Sequence, residues 1–109
     1  MLKYNLYVKD ILKAIKLIEE TTKKKNFNSF VKDKNLIDAT AMRIQIIGES
    51  CKKIPDKIKR PIKEVNWSYL EGLRNVISHA YFKISSELLW DIIKSEIPLL
   101  KKVVKRLKI

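Results

Sequence analysis

Residues 71–82 read Glu71-Gly72-Leu73-Arg74-Asn75-Val76-Ile77-Ser78-His79-Ala80-Tyr81-Phe82. The stretch holds the one histidine of the chain, five residues after Arg74, four after Asn75 and two before Tyr81. With Leu70 just ahead of it, the recurrence of Leu73, Val76 and Ile77 predicts an amphipathic helix that begins near Trp67 and carries the reactive groups on its second half. Asn66 is one candidate N-cap for this helix, and Ser68-Tyr69-Leu70-Glu71 is an alternative capping box one turn further in. A guanidinium that keeps its charge suits an anionic phosphate. An imidazole is the side chain whose ordinary pKa suits proton transfer near neutral pH. Together they point to phosphate-ester chemistry.

Upstream, Tyr4, Val8, Ile11, Leu12, Ile15 and Ile18 recur with helical period over residues 3–25, until Thr21-Thr22 and the run Lys23-Lys24-Lys25 weaken the pattern. The lysine run reads as a solvated helix end, with RNA contact as the alternative. Residues 27–33 predict a short turn of helix packed by Phe27 and Phe30. A second long helix is expected over residues 34–53, with Ile37, Ala41, Ile44, Ile47 and Cys51 facing inward. Gly48 interrupts it at ~1 kcal/mol relative to alanine, which a closely crossing helix would explain. Glu49 reads as a capping or buried hydrogen-bonding group, or else as a functional carboxylate. Pro55 and Pro61 bracket a basic connector containing Lys57, Lys59 and Arg60, with one helical turn beginning near Pro55. Downstream, Ser85 or Ser86 caps a last long helix carrying Leu89, Ile93, Ile97, Leu100, Val104 and Leu107. Pro98 is expected to bend or break it. Trp67, Tyr69 and Trp90 read as packing residues.

Composition agrees with a helical chain. Hydrophobic residues make up 46% and charged residues 33% of 109 residues, with only two glycines and three prolines, too few turn formers for a many-stranded sheet. This length fits one domain over residues 1–109. The net charge of +12 favours polyanions, nucleic acid first; a heat-adapted or AT-rich source would also enrich lysine and isoleucine, and charge does not separate the two. One cysteine, Cys51, leaves no internal disulfide and no zinc cluster, and reads as a small core residue. No apolar run nears the ~20 residues of a membrane span, and no charged start followed by an apolar block marks a signal peptide. A reduced cytoplasm is the expected setting.

On an unbroken helix Arg74 and His79 stand roughly 140° apart around the axis and about 7.5 Å along it. Asn75 and His79, four apart, share a face. Either the helix loosens near Ser78-His79, or Arg74 reaches round with its long side chain.

Arg74-Asn75, three residues, His79, one residue and Tyr81 resembles the arginine–x4–histidine–x–tyrosine signature of HepT-like toxins, a branch of the HEPN superfamily of small helical ribonucleases. Met42-Arg43-Ile44-Gln45-Ile46-Ile47-Gly48-Glu49 resembles the second helix of that family, Ile54-Pro55 its following turn, and Trp67 with Gly72-Leu73-Arg74-Asn75 its run into the motif. The likeness extends over residues 33–98. It implies an all-α, HEPN-like antiparallel four-helix bundle with a short extra helical turn between the second and third helices, an architecture that four main helices on short connectors also favour.

Metal-free RNA cleavage by the 2′-hydroxyl needs one group to take a proton from the nucleophile and another to give one to the departing 5′-oxygen. One chain offers His79 alone. Two chains about a twofold axis would bring two His79 and two Arg74 into one cleft, and the resemblance likewise implies a composite site at a homodimer interface. The expected roles are Arg74 for phosphate and transition-state charge, His79 for acid/base work and Asn75 for positioning. The expected products are a 2′,3′-cyclic phosphate and a 5′-hydroxyl, with no metal and no cofactor. The resemblance further implies transfer or messenger RNA as target, and adenylylation of Tyr81 by a cognate minimal nucleotidyltransferase antitoxin; added negative charge and bulk beside Arg74 and His79 would exclude RNA. Plainer readings make His79 a hydrogen-bonded structural residue and Tyr81 a cap on the core. Two other functions compete: a noncatalytic helical subunit binding the nucleotidyltransferase or a nucleotide, and a basic DNA-binding protein, for which no recognition helix is evident.

Overall fold

The computed structural model describes the backbone of residues 4–79 and 85–107, and the side chains of those residues except Ser78 and His79. Every element in it is helical: α1 (Asn5–Thr22), α2 (Phe27–Lys32), α3 (Lys34–Lys53), α4 (Asp56–Lys59), α5 (Trp67–His79), and a last run made of α6 (Ser86–Asp91), a π-helical turn (Ile92–Glu96) and α7 (Ile97–Leu107). The protein is an all-α bundle, with α4 as the short extra turn between α3 and α5.

Local chemistry sets the boundaries. The Thr21 and Thr22 hydroxyls bond back to the Leu17 and Ile18 carbonyls, each at 2.7 Å, where α1 ends. Asn26 and Ser29 form a reciprocal capping box that starts α2. The Asp33 carboxylate accepts the Leu36 N–H at 3.1 Å and caps α3. That bond first, and the Lys25 ammonium 3.1 Å away second, hold the Asp33 carboxyl below its usual range. Asn66 caps α5 by accepting the Tyr69 N–H at 3.2 Å; the alternative capping box is unused because Glu71 is engaged elsewhere. Ser85 takes the N–H groups of Glu87 and Leu88 and opens α6.

Pro98 is expressed as a π turn rather than a break. Proline has no N–H and its ring crowds the carbonyl four residues back, so the preceding turn widens and the Ile97 N–H bonds to the Ile92 carbonyl, five residues back. The widened turn keeps Ile92 and Ile93 both buried.

Contacts between distant residues give the directions. Lys53, at the end of α3, stands over the Tyr7 ring near the start of α1, while Arg43 reaches Thr21 at the end of α1, so the two helices are antiparallel. Lys101 bonds Glu19, and Lys105 and Leu12 border the same cavity, so α7 runs antiparallel to α1. The core is built from Val8, Ile11, Ile15 and Ile18 of α1, Ile44, Ile47 and Cys51 of α3, Leu70, Leu73 and Ile77 of α5, and Leu89, Ile97, Leu100 and Val104 of the last run. Phe30 is buried, with the Trp90 ring 5.1 Å away.

Two packing expectations need correction. Val76 is 47% exposed, because it lies roughly 60° past Leu73 and about 100° from Ile77 around the axis, beyond the buried face. Tyr69 also stays on the outside of α5. No helix among the described residues is long and apolar enough to cross a membrane.

Candidate active site

The site is built on α5, and two features hold that helix against α3. At Gly48, an added Cβ would stand 2.6 Å from the Leu70 carbonyl oxygen and 3.4 Å from the Arg74 Cβ. Only a residue without a side chain permits this approach, so the crossing predicted from Gly48 is real and Arg74 lies at it. The second feature is Lys59, 5% exposed. Its Nζ donates to the Cys51 carbonyl at 2.9 Å and to Glu71 Oε2 at 2.7 Å, with Asp56 Oδ1 at 3.7 Å. A buried ammonium is tolerated only when its donors are met in this way. Lys59 therefore ties the end of α3 to α5 and, unlike exposed Lys57 and Arg60, is unavailable to RNA. Trp67 adds a bond from Nε1 to the Ile62 carbonyl at 3.2 Å.

Arg74 points toward α3. Its Nε lies 2.5 Å from Glu49 Oε2. That oxygen is buried and accepts no directed hydrogen bond, so the contact is ionic rather than a well-aligned bond. Nη1 makes a long bond to Asn75 Oδ1 at 3.4 Å. With Nε engaged by Glu49, the terminal nitrogens of the fork are left to meet an anion. Asn75 is thus allied with Arg74, and its amide N–H groups make no bond among the described residues.

α5 stays helical through His79, so it does not loosen at Ser78-His79. In helical projection position 79 falls between Gly72 and Asn75, both exposed, roughly 140° from Arg74. The helix alone does not bring these two positions to one face. Tyr81 lies outside the described residues. No group of three His, Cys, Asp or Glu among the described residues could hold a metal ion.

Beside Arg74 a cavity of about 380 Å3 opens between α1 and α3, bordered by Tyr7 and Asp10 on one side and by Met42, Ile46, Glu49 and Lys53 on the other. Behind it, Cys51 is fully buried. Burial first, and the negative charge of Glu71 second, push its thiol up to about 12, with Lys59 pulling the other way.

The model of the family described as Ribonuclease HepT-like matches residues 11–107, which include α3, α5, Glu49, Lys59 and Arg74 but not Tyr7 and Asp10. The chain belongs to the HepT-like ribonuclease family. Among its HepT-like relatives, the probable ribonuclease HepT of Thermococcus cleftensis is 38% identical, with 94% of this chain and 93% of the relative covered. The putative RNase MJ1380 of Methanocaldococcus jannaschii is 35% identical, over 90% of each. The putative RNase TTE0752 of Caldanaerobacter subterraneus is 34% identical, over 93% of this chain and 90% of the relative. No solved structure matches the chain.

Two parts of this HepT-like site escaped the sequence reading. In the sequence Lys59 reads as part of a basic connector, since nothing local pairs it with Glu71 twelve residues away. Glu49 reads there as a candidate carboxylate whose partner the sequence does not name. The signal existed: a glycine expected at a helix crossing puts its neighbour at that crossing too.

Proposed function

We propose that this HepT-like protein is a metal-independent endoribonuclease toxin whose working site is shared by two copies of the chain. The observation that carries this reading is the division of the motif around α5: Arg74 is held toward α3 by Glu49, while position 79 stands roughly 140° away around the helix axis, between the exposed Gly72 and Asn75. A second copy on that exposed side, where Tyr69 and Val76 leave apolar surface uncovered, would supply what one chain lacks. In the shared cleft, one His79 removes the proton from the ribose 2′-hydroxyl as its oxygen attacks phosphorus. The other gives a proton to the departing 5′-oxygen. The products are a 2′,3′-cyclic phosphate and a 5′-hydroxyl. Arg74 stabilises the charge developing on the phosphate oxygens, and Asn75 positions them. Tyr81, two residues past His79, would be the hydroxyl that a minimal nucleotidyltransferase antitoxin adenylylates to silence the site.

The test is cleavage of total transfer RNA in EDTA by the wild type and by His79→Ala, with the product ends identified chemically. Cyclic phosphate ends made by the wild type alone are the expected result. Absence of cleavage by a dimeric chain with unmodified Tyr81, across transfer and messenger RNA, would replace the enzyme with a noncatalytic subunit.

A further inference from the structure

We infer that the cavity between α1 and α3 beside Arg74 is a guanosine subsite, which selects the nucleotide next to the phosphate that Arg74 holds. Its role in cleavage rests on the ribonuclease reading; its existence does not. At about 380 Å3 it falls in the ~300–1,000 Å3 range of small-molecule sites.

Half of the carboxylates of this basic chain are held in ion pairs, so what matters is which ones border the cavity. In a chain of net charge +12, Glu19, Asp33, Glu49, Asp56, Glu64 and Glu71 each pair with a lysine or arginine. Of the two carboxylates bordering the cavity, Glu49 is taken by Arg74. Asp10 has no hydrogen bond or ion pair among the described residues. Asp10 is exposed and borders the same cavity as Arg74, so a nucleotide whose phosphate Arg74 holds would meet there a carboxylate free to accept. An ionised carboxylate only accepts, through two oxygens side by side. Guanine matches it, because its N1–H and N2–H lie side by side on one edge. Adenine and cytosine place an amino group next to a ring nitrogen that accepts, and uracil places one N–H between two carbonyls; each would set an acceptor against the carboxylate.

Gln45 and Ser50 also line the cavity, and other walls suit the rest of a nucleotide. The half-buried Tyr7 ring and the exposed apolar side chain of Met42 offer surfaces to the flat faces of a base. The Lys53 ammonium is held 5.6 Å from the centre of the Tyr7 ring, so a second cation accompanies Arg74 for the flanking phosphates.

The experiment is equilibrium titration of the full chain with the 3′-monophosphates of guanosine, adenosine, cytidine and uridine, which contain no bond for the enzyme to cut, using the wild type, Asp10→Asn and Arg74→Ala. The expected result is guanosine monophosphate binding at least about tenfold tighter than the other three, a difference typical of a two-bond base contact. Asp10→Asn is expected to abolish that preference while leaving the other three within about twofold, and Arg74→Ala to weaken all four alike. Four nucleotides bound equally, none bound at millimolar concentration, or a guanosine preference that survives Asp10→Asn would each overturn the subsite. If the protein binds as expected yet cuts no RNA, the ribonuclease reading falls and the subsite stands. If it cuts RNA with no guanosine beside the cleaved bond, the subsite falls alone.

Discussion

Glu49 and Arg74 face each other across the α3–α5 crossing with both side chains about two-fifths exposed, so their attraction adds under ~1 kcal/mol to folding. Its value lies in orientation. Glu49→Gln keeps the shape and removes the charge, and is expected to lower kcat about tenfold through a misplaced guanidinium, with KM and Tm little changed. Equal kcat in the two proteins would make the pair incidental. Cys51 offers a second check at this scale. Its ordinary pKa of 9.0 is raised to about 12 in the fold, so the native state favours the neutral thiol. That contribution is complete below pH 9.0, declines above it, and is lost as the pH rises through about 12. Cys51→Ala is expected to lose stability less steeply than the wild type across that window in urea titrations. At pH 8 the native thiol is expected to react with iodoacetamide at least ~100-fold more slowly than a free thiol.

At the scale of elements, the two glycines make opposite predictions. An alanine at position 48 drives its methyl into the Leu70 carbonyl, whereas position 72 has nothing within 4 Å. Gly48→Ala is expected to cost about 1–3 kcal/mol through overpacking, and Gly72→Ala to gain up to ~1 kcal/mol through helix propensity, both read by urea unfolding at one fixed protein concentration. A harmless Gly48→Ala would mean that α3 and α5 do not cross so closely. The bounds of α3 were legible from residues 34–53 because apolar period and charge agreed. The close crossing at Gly48 was legible too, because glycine inside a helix is unfavourable without a neighbour. The exposure of Val76 was not: a four-residue apolar pattern leaves the width of the buried stripe open, and only the placement of the neighbouring helices closes it. Pro98 announced a disturbance in the last helix, but its form as a π turn came from keeping Ile92 and Ile93 both in the core.

For the whole molecule, the proposed shared site would make activity depend on both chains. When wild type and His79→Ala are mixed in equal amounts and allowed to exchange subunits, roughly a quarter of randomly formed dimers contain two intact chains. Activity is expected to follow the square of the wild-type fraction; a linear fall would mean that each chain carries its own site. Composition and apolar period were enough to determine a basic helical chain, the order of its helices and the motif that α5 carries, because these depend on residues close together in sequence. The turning of Arg74 toward Glu49, the burial of Lys59 against Glu71 and the cavity holding Asp10 beside Arg74 were decided only by tertiary structure. Each joins residues on different helices, and no periodicity within one helix encodes how it lies against the next.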